Sequence, residues 1–162
     1  MSAPRVQRGM KTLTTILGLS MMALVGCASD DAGSAEIMTT PLAGEVGGTT
    51  WTFTAGHTSA FLSEGEPDFF ASLYPTAFTA CGFSEPGGNH LIVAIPKMPG
   101  EYEMSLSRNM TFVVGDSTNL IATNGRIVVD EVTATSVKGG LVATYDGSNE
   151  VNGRFEVTIC PD

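Results

Sequence analysis

The 162-residue chain carries a formal net charge of −9, with 43% hydrophobic and only 15% charged residues. That balance excludes a disordered acidic chain and fits one domain plus a targeting segment. Arg5, Arg8 and Lys11 precede the first apolar run. From Cys27 onward five basic residues face 17 acidic ones, a net of −12, which leaves no footprint for nucleic acid and no polybasic patch for anionic lipid.

Leu13 to Gly26, LTTILGLSMMALVG, is an uncharged run of fourteen mostly apolar residues. As a helix it would span about 21 Å, short of the ~30 Å hydrocarbon core. With its basic flank it has the dimensions of a signal peptide over residues 1–26, and Met10-Lys11 offers an alternative start. The run ends Leu24-Val25-Gly26-Cys27, which resembles the lipobox of bacterial lipoproteins. The resemblance implies cleavage between Gly26 and Cys27, acylation of the Cys27 thiol and amino group, and a stable membrane anchor. Ala28, rather than Asp, follows Cys27; in Gram-negative lipoproteins this resembles the outer-membrane-sorted pattern. The expected address is the cell envelope, facing the periplasm or the surface. Residues 27–45, beginning Cys27-Ala28-Ser29-Asp30-Asp31, are small, polar and acidic and read as a flexible tether.

From residue 46 to 162 the pattern changes to short alternating runs separated by turn residues. Thr50 to Ala55 alternates with a strand's period. His57 to Leu62 and Phe69 to Tyr74 read as two further strands, joined by an acidic loop containing Glu64, Glu66 and Asp68. Leu91 to Ile95 is apolar on both faces, as in a central strand. Glu101 to Leu106 alternates, with Tyr102, Met104 and Leu106 inward. Thr111 to Val114 is short and β-branched. Asn124-Gly125, between Leu120-Ile121-Ala122 and Ile127-Val128-Val129, is a strong hairpin signal. Val137 to Tyr145 and Val151 to Ile159 flank a second turn, Asp146 to Asn149. Both strands carry V-x-G-x-[LF]-x-[AV]-T, whose glycines, Gly139 and Gly153, mark a bulge or a close crossing. These features predict an all-β fold, an antiparallel sandwich or small barrel of eight to ten strands. The predicted core is Trp51, Phe53, Phe61, Leu73, Val93, Ile95, Tyr102, Met104, Leu106, Phe112, Ile127, Val129, Leu141, Tyr145, Phe155, Val157 and Ile159.

With Cys27 lipidated, Cys81 and Cys160 form an even count in an oxidising compartment and are expected to be disulfide-bonded. The domain resembles a class of small bacterial envelope lipoproteins. Their shared outline appears here as Gly48 to Trp51, Pro99-Gly100-Glu101-Tyr102, Asn124-Gly125 and Val151 to Cys160. That class implies no particular activity. Gly48-Thr49-Thr50-Trp51 also resembles the G-x-W opening of lipocalin barrels, at a spacing one residue longer.

Candidate chemistry is sparse. His57 and His90 are the only histidines, and either could join Glu64, Glu66 or Asp68 in a metal or general-base site. Met98, Met104 and Met110 are soft thioethers, but their placement reads as core filler and turn. Asp146 to Glu150 alternates oxygen ligands without the full Ca²⁺-loop pattern. The expectation is therefore no catalytic residue, metal or cofactor. The favoured role is non-catalytic, binding or structural, with an envelope protein or small molecule as partner. The alternatives are a calycin-like carrier of a small apolar ligand and a metal-dependent enzyme.

Overall fold

The computed structural model describes residues 34–115 and 117–161. Gly26, Cys27 and the leader lie outside the described residues. Among the described residues no helix is long and apolar enough to cross a membrane.

Eleven strands and one helical turn follow in order: β1 Ala43–Val46, β2 Thr49–Thr52, β3 Ala55–Ser59, α1 Ala60–Ser63, β4 Asp68–Tyr74, β5 His90–Pro96, β6 Gly100–Glu103, β7 Met110–Val114, β8 Thr118–Ala122, β9 Asn124–Val132, β10 Ser136–Asp146 and β11 Asn149–Thr158. Nine of them form one continuous path, β6-β9-β10-β11-β3-β4-β5-β7-β8. The β1–β2 hairpin is attached to β11 beside it. The path is curled and open, a half-barrel. Neighbours along it are antiparallel except β11 and β3, which meet in parallel at Thr158 and His57.

The curl follows from alternation. Leu73, Leu91 and Phe112 are cross-strand partners along β4, β5 and β7, and all three are fully buried. Ile127 and Leu141 are partners on β9 and β10 and are equally buried. One inward stripe thus runs across both arms of the sheet, and burying it draws the arms together. β8 approaches β10, and β5 approaches β9, across the concave side.

The β10–β11 hairpin forms as its turn residues predict, and its repeated pattern has a simple use. In the antiparallel register Gly139 faces Phe155 and Leu141 faces Gly153. Each glycine therefore lies opposite the other copy's large residue. At Gly139 the β9–β10 register shifts, and a Cβ there would lie 2.2 Å from the Val128 carbonyl oxygen. At Gly153, with φ of 141°, a Cβ would lie 2.7 Å from the carbonyl oxygens of Thr40 and Pro41. One glycine marks a bulge and the other a crossing.

That crossing segment changes the expected boundary at residue 46. Arg154 N–H donates to the Thr40 carbonyl, and Leu42 N–H donates to the Arg154 carbonyl. Asn152 holds Met38 N–H and the Glu36 carbonyl. Leu42 is fully buried. Residues 36–45, read as tether from their composition, are therefore part of the sheet assembly: backbone pairing and Leu42 burial outweigh their small-polar composition.

Three further expectations are corrected. Asn124-Gly125 is not a hairpin turn: β8 pairs with β7, while β9 pairs with β6 and β10. Strand structure is instead interrupted at Thr123 alone, and the chain passes from β8 at one end of the sheet to β9 in the other arm. Gly125 is needed there because a Cβ would lie 2.3 Å from the Val142 carbonyl oxygen. The strand expected over His57 to Leu62 ends at Ser59, whose hydroxyl accepts the Leu62 N–H and starts α1. This turn leaves Phe61 outside the core. Phe61, Leu106 and Tyr145 are exposed; Leu106 falls beyond the end of β6, in a loop closed by Ser105 N–H on the Arg108 carbonyl. Phe53, Tyr102 and Ile159 are partly buried at the margin of the core, and the other core residues named above are buried.

Candidate functional site

Strand alternation places His57 on one face of β3 and Thr58 on the other. On the His57 side lie its β4 neighbours Ser72 and Tyr74. The 75–89 connection, rich in Pro and Gly, folds back over this face. Phe78 meets both His57 and Tyr74 edge-on, each at a centroid distance of 5.1 Å. His90, at the start of β5, stacks on Tyr74 at 4.9 Å, and its Nδ1 lies 2.9 Å from the Gly88 carbonyl.

Glu85 holds the cluster together. One carboxylate oxygen is 2.7 Å from His57 Nε2, and the other accepts the Tyr74 hydroxyl at 2.5 Å. The Cys81 N–H donates to His57 Nδ1 at 2.8 Å. With Nδ1 an acceptor, the ring proton is assigned to Nε2, facing Glu85. His57 is 6% exposed, so these contacts fix its orientation.

Cys81 and Cys160 are bridged, with Cα atoms 5.4 Å apart. Cys81 has a φ of 60°, the sole positive value outside glycine among the described residues. The bridge wraps the edge of β3: Cys81 N–H is held by His57, and Cys160 N–H by the Thr58 hydroxyl at 3.0 Å. On the Cys160 side is a cleft of about 320 Å³ lined by Thr58, Ser63, Phe69, Lys97, Ile159 and Cys160 among others. Lys97 Nζ donates to the Ser63 carbonyl at 2.6 Å and lies over the Phe69 ring.

The electrostatics follow from these contacts. Burial acts to raise the Glu85 carboxyl, but hydrogen bonds from Tyr74 and His57, with the charge of the two imidazoles, hold it below 4.5. Burial is the main cause of a raised Tyr74 phenol, and bonding to the Glu85 carboxylate adds to it. The folded protein therefore keeps the Tyr74 proton where the unfolded chain releases it. Stability from this effect is intact below pH 10.0 and is lost as pH rises beyond it. For Glu85 the contribution is present above pH 4.5 and is lost as pH falls through the folded value. Tyr74→Phe should cost about 1.5–3 kcal/mol at neutral pH, the range for a bond to a charged acceptor. It should also flatten the alkaline limb of a denaturation series from pH 8 to 11. A variant with the wild-type alkaline slope would show that Tyr74 is not the titrating group.

The residues brought together differ from those expected. His57 and His90 share one cluster through Tyr74, but their carboxylate is Glu85. Asp68 instead forms a two-pronged ion pair with Arg108, both contacts 3.1 Å, and Glu64 and Glu66 lie in an exposed loop. Glu85 sits 28 residues from His57 within a connection that reads as turns; its nearness to Cys81 was the available signal. Met104 and Met110 are buried and Met98 is exposed. Asp146 accepts from Ser148 N–H and Asn149 Nδ2 within the hairpin turn. A carrier would need an open interior, whereas Leu73, Val93, Ile95, Phe112, Ile127 and Leu141 occupy this one at 0% exposure.

The fold and site define a disulfide-bridged β half-barrel with a histidine–glutamate–tyrosine cluster on its outer face. Comparison with protein-family models, with curated proteins and with solved structures returns no match.

Proposed function

We propose that this chain is an exported lipoprotein whose small open-barrel domain has a non-catalytic, binding or structural role in the cell envelope. Its anchor is Cys27, acylated after cleavage at Gly26, most simply at the outer membrane. The observation that carries the reading is the Cys81–Cys160 bridge. It consumes two of the three cysteines and leaves Cys27, at the end of the lipobox-like run, as the one thiol for lipid. A bridge of this kind also suits an oxidising compartment. In support of a binding role, Phe61 and Leu62 stand exposed beside the cleft, on the turn bearing Ser63.

The test has two readouts. Mass analysis of the membrane-extracted protein should find a mature N-terminus at Cys27 with fatty acyl mass, and Cys27→Ser should leave the membrane fraction. Crosslinking on intact cells should then join the domain to an envelope partner. An N-terminus elsewhere, or unchanged fractionation of Cys27→Ser, would overturn the anchor. Reproducible turnover of a substrate by the isolated full-length protein would overturn the non-catalytic role.

A further inference from the structure

We propose that the Cys81–Cys160 bridge is a thiol–disulfide exchange site, entered by a small acidic thiol through the Cys160 cleft and served on the Cys81 side by His57 and Glu85. A purely structural bridge would need no chemistry arranged on either side of it. Here both sides are furnished. A ring nitrogen of His57 and both sulfurs lie within 4.8 Å of one another. Glu85 grips the far nitrogen of the same ring. Cys160 lines a cleft that also presents the Lys97 ammonium and the Glu64 carboxylate, which together suit an acidic thiol that carries an ammonium group as well as its carboxylates, as glutathione does. Cys81 holds a left-handed backbone conformation that a non-glycine residue adopts only under strain, and opening the bridge would relieve it.

The step balances as follows. The entering thiol, RSH, gives its proton to solvent, and its sulfur attacks Cys160 Sγ from the cleft. The S–S bond breaks and its electron pair goes to Cys81 Sγ. The products are a Cys160–S–S–R mixed disulfide and a Cys81 thiolate. Opening the bridge frees Cys81 to leave its left-handed conformation and take its N–H off His57 Nδ1; a proton from solvent at the vacated Nδ1 then makes an imidazolium beside that thiolate, and the Glu85 carboxylate on Nε2 offsets its charge. A leaving thiolate stabilised in this way departs faster. His57 acts at the reacting sulfur; Glu85 is a positioning residue that acts through His57. A second thiol then attacks the mixed disulfide, releasing RSSR and leaving both cysteines reduced.

The choice of sulfur tests the idea, because exposure alone points the other way: Cys81 is exposed and Cys160 only partly so. The full-length protein is treated with reduced glutathione, quenched with iodoacetamide and mapped by peptide mass. Glutathione should be found on Cys160 and the carbamidomethyl group on Cys81. The native bridge should react about tenfold faster than in the same protein unfolded by guanidinium. Glu85→Gln should slow the native reaction several-fold and erase the preference for Cys160. Adducts on Cys81, or shared equally, would overturn the proposal. So would a native bridge slower than the unfolded one, or an unaltered rate and preference in Glu85→Gln. These outcomes are independent of whether Cys27 carries lipid.

Discussion

Replacing both bridged cysteines, Cys81→Ser with Cys160→Ser, is expected to destabilise the domain by about 4 kcal/mol. The bridge spans 79 residues, and closing a loop of that length in the unfolded chain is worth roughly 4.5 kcal/mol by chain entropy. The two serines lose little else, because the β3–β4 and β10–β11 pairings do not depend on them. Domains of this size are stable by only about 5–15 kcal/mol, so the loss is a large share of the whole. It corresponds to a fall in melting temperature of roughly 15 °C. Trp51 is the sole tryptophan and is 2% exposed, so its emission can follow unfolding in urea. A midpoint moved by less than the equivalent of about 1 kcal/mol would show that the unfolded chain is already compact around the two sites. The 75–89 connection should loosen even where the sheet survives, and amide exchange should rise first at position 81, whose N–H rests on His57 in the native protein.

Asp68→Ala is expected to cost on the order of 3 kcal/mol, more than most surface changes. Asp68 is 5% exposed and accepts both prongs of the Arg108 guanidinium. That guanidinium also lies over the Tyr102 ring at 4.9 Å. One contact set therefore joins the start of β4, the loop after β6 and β6 itself. Removing the carboxylate leaves a largely enclosed cation with only the ring for company. The penalty comes from the stranded partner rather than from the attraction itself. The double variant Asp68→Leu/Arg108→Met should accordingly recover most of the loss, and urea denaturation of the three proteins separates the two cases. A double variant as unstable as Asp68→Ala would mean that the pair's geometry, not charge compensation, holds the loop.

What the sequence made legible was local. Asp146 to Asn149 form a turn between two alternating runs, and neighbouring strands of that kind pair with each other. Asn124-Gly125 carries an equally strong signal and pairs nothing across it, because the choice of partner for β8 and β9 is made by the curl of the whole sheet. No window of a dozen residues contains that choice. The repeated V-x-G pattern was legible as a need for two glycines, although its reason, two copies meeting head to tail, appears only in the register. His57 to Leu62 reads as a strand by composition, yet the Ser59 hydroxyl is close enough to start a turn and competes locally with extension. The cluster was legible only in its two histidines. Glu85 and Tyr74 join them through the fold of a connection whose prolines and glycines advertise turns and nothing more.

The placement of β11 has a consequence for how the molecule comes into being. The earliest strands, β1 and β3, both find a pairing edge on β11, the last strand of the chain. In a polypeptide delivered from its N-terminus onward, β1 can pair with β2 and β3 with β4 at once, but the edges they offer to β11 stay open until nearly all of its length has emerged. Contacts between such distant parts close slowly. The sheet can therefore close along that seam only as the last step of assembly.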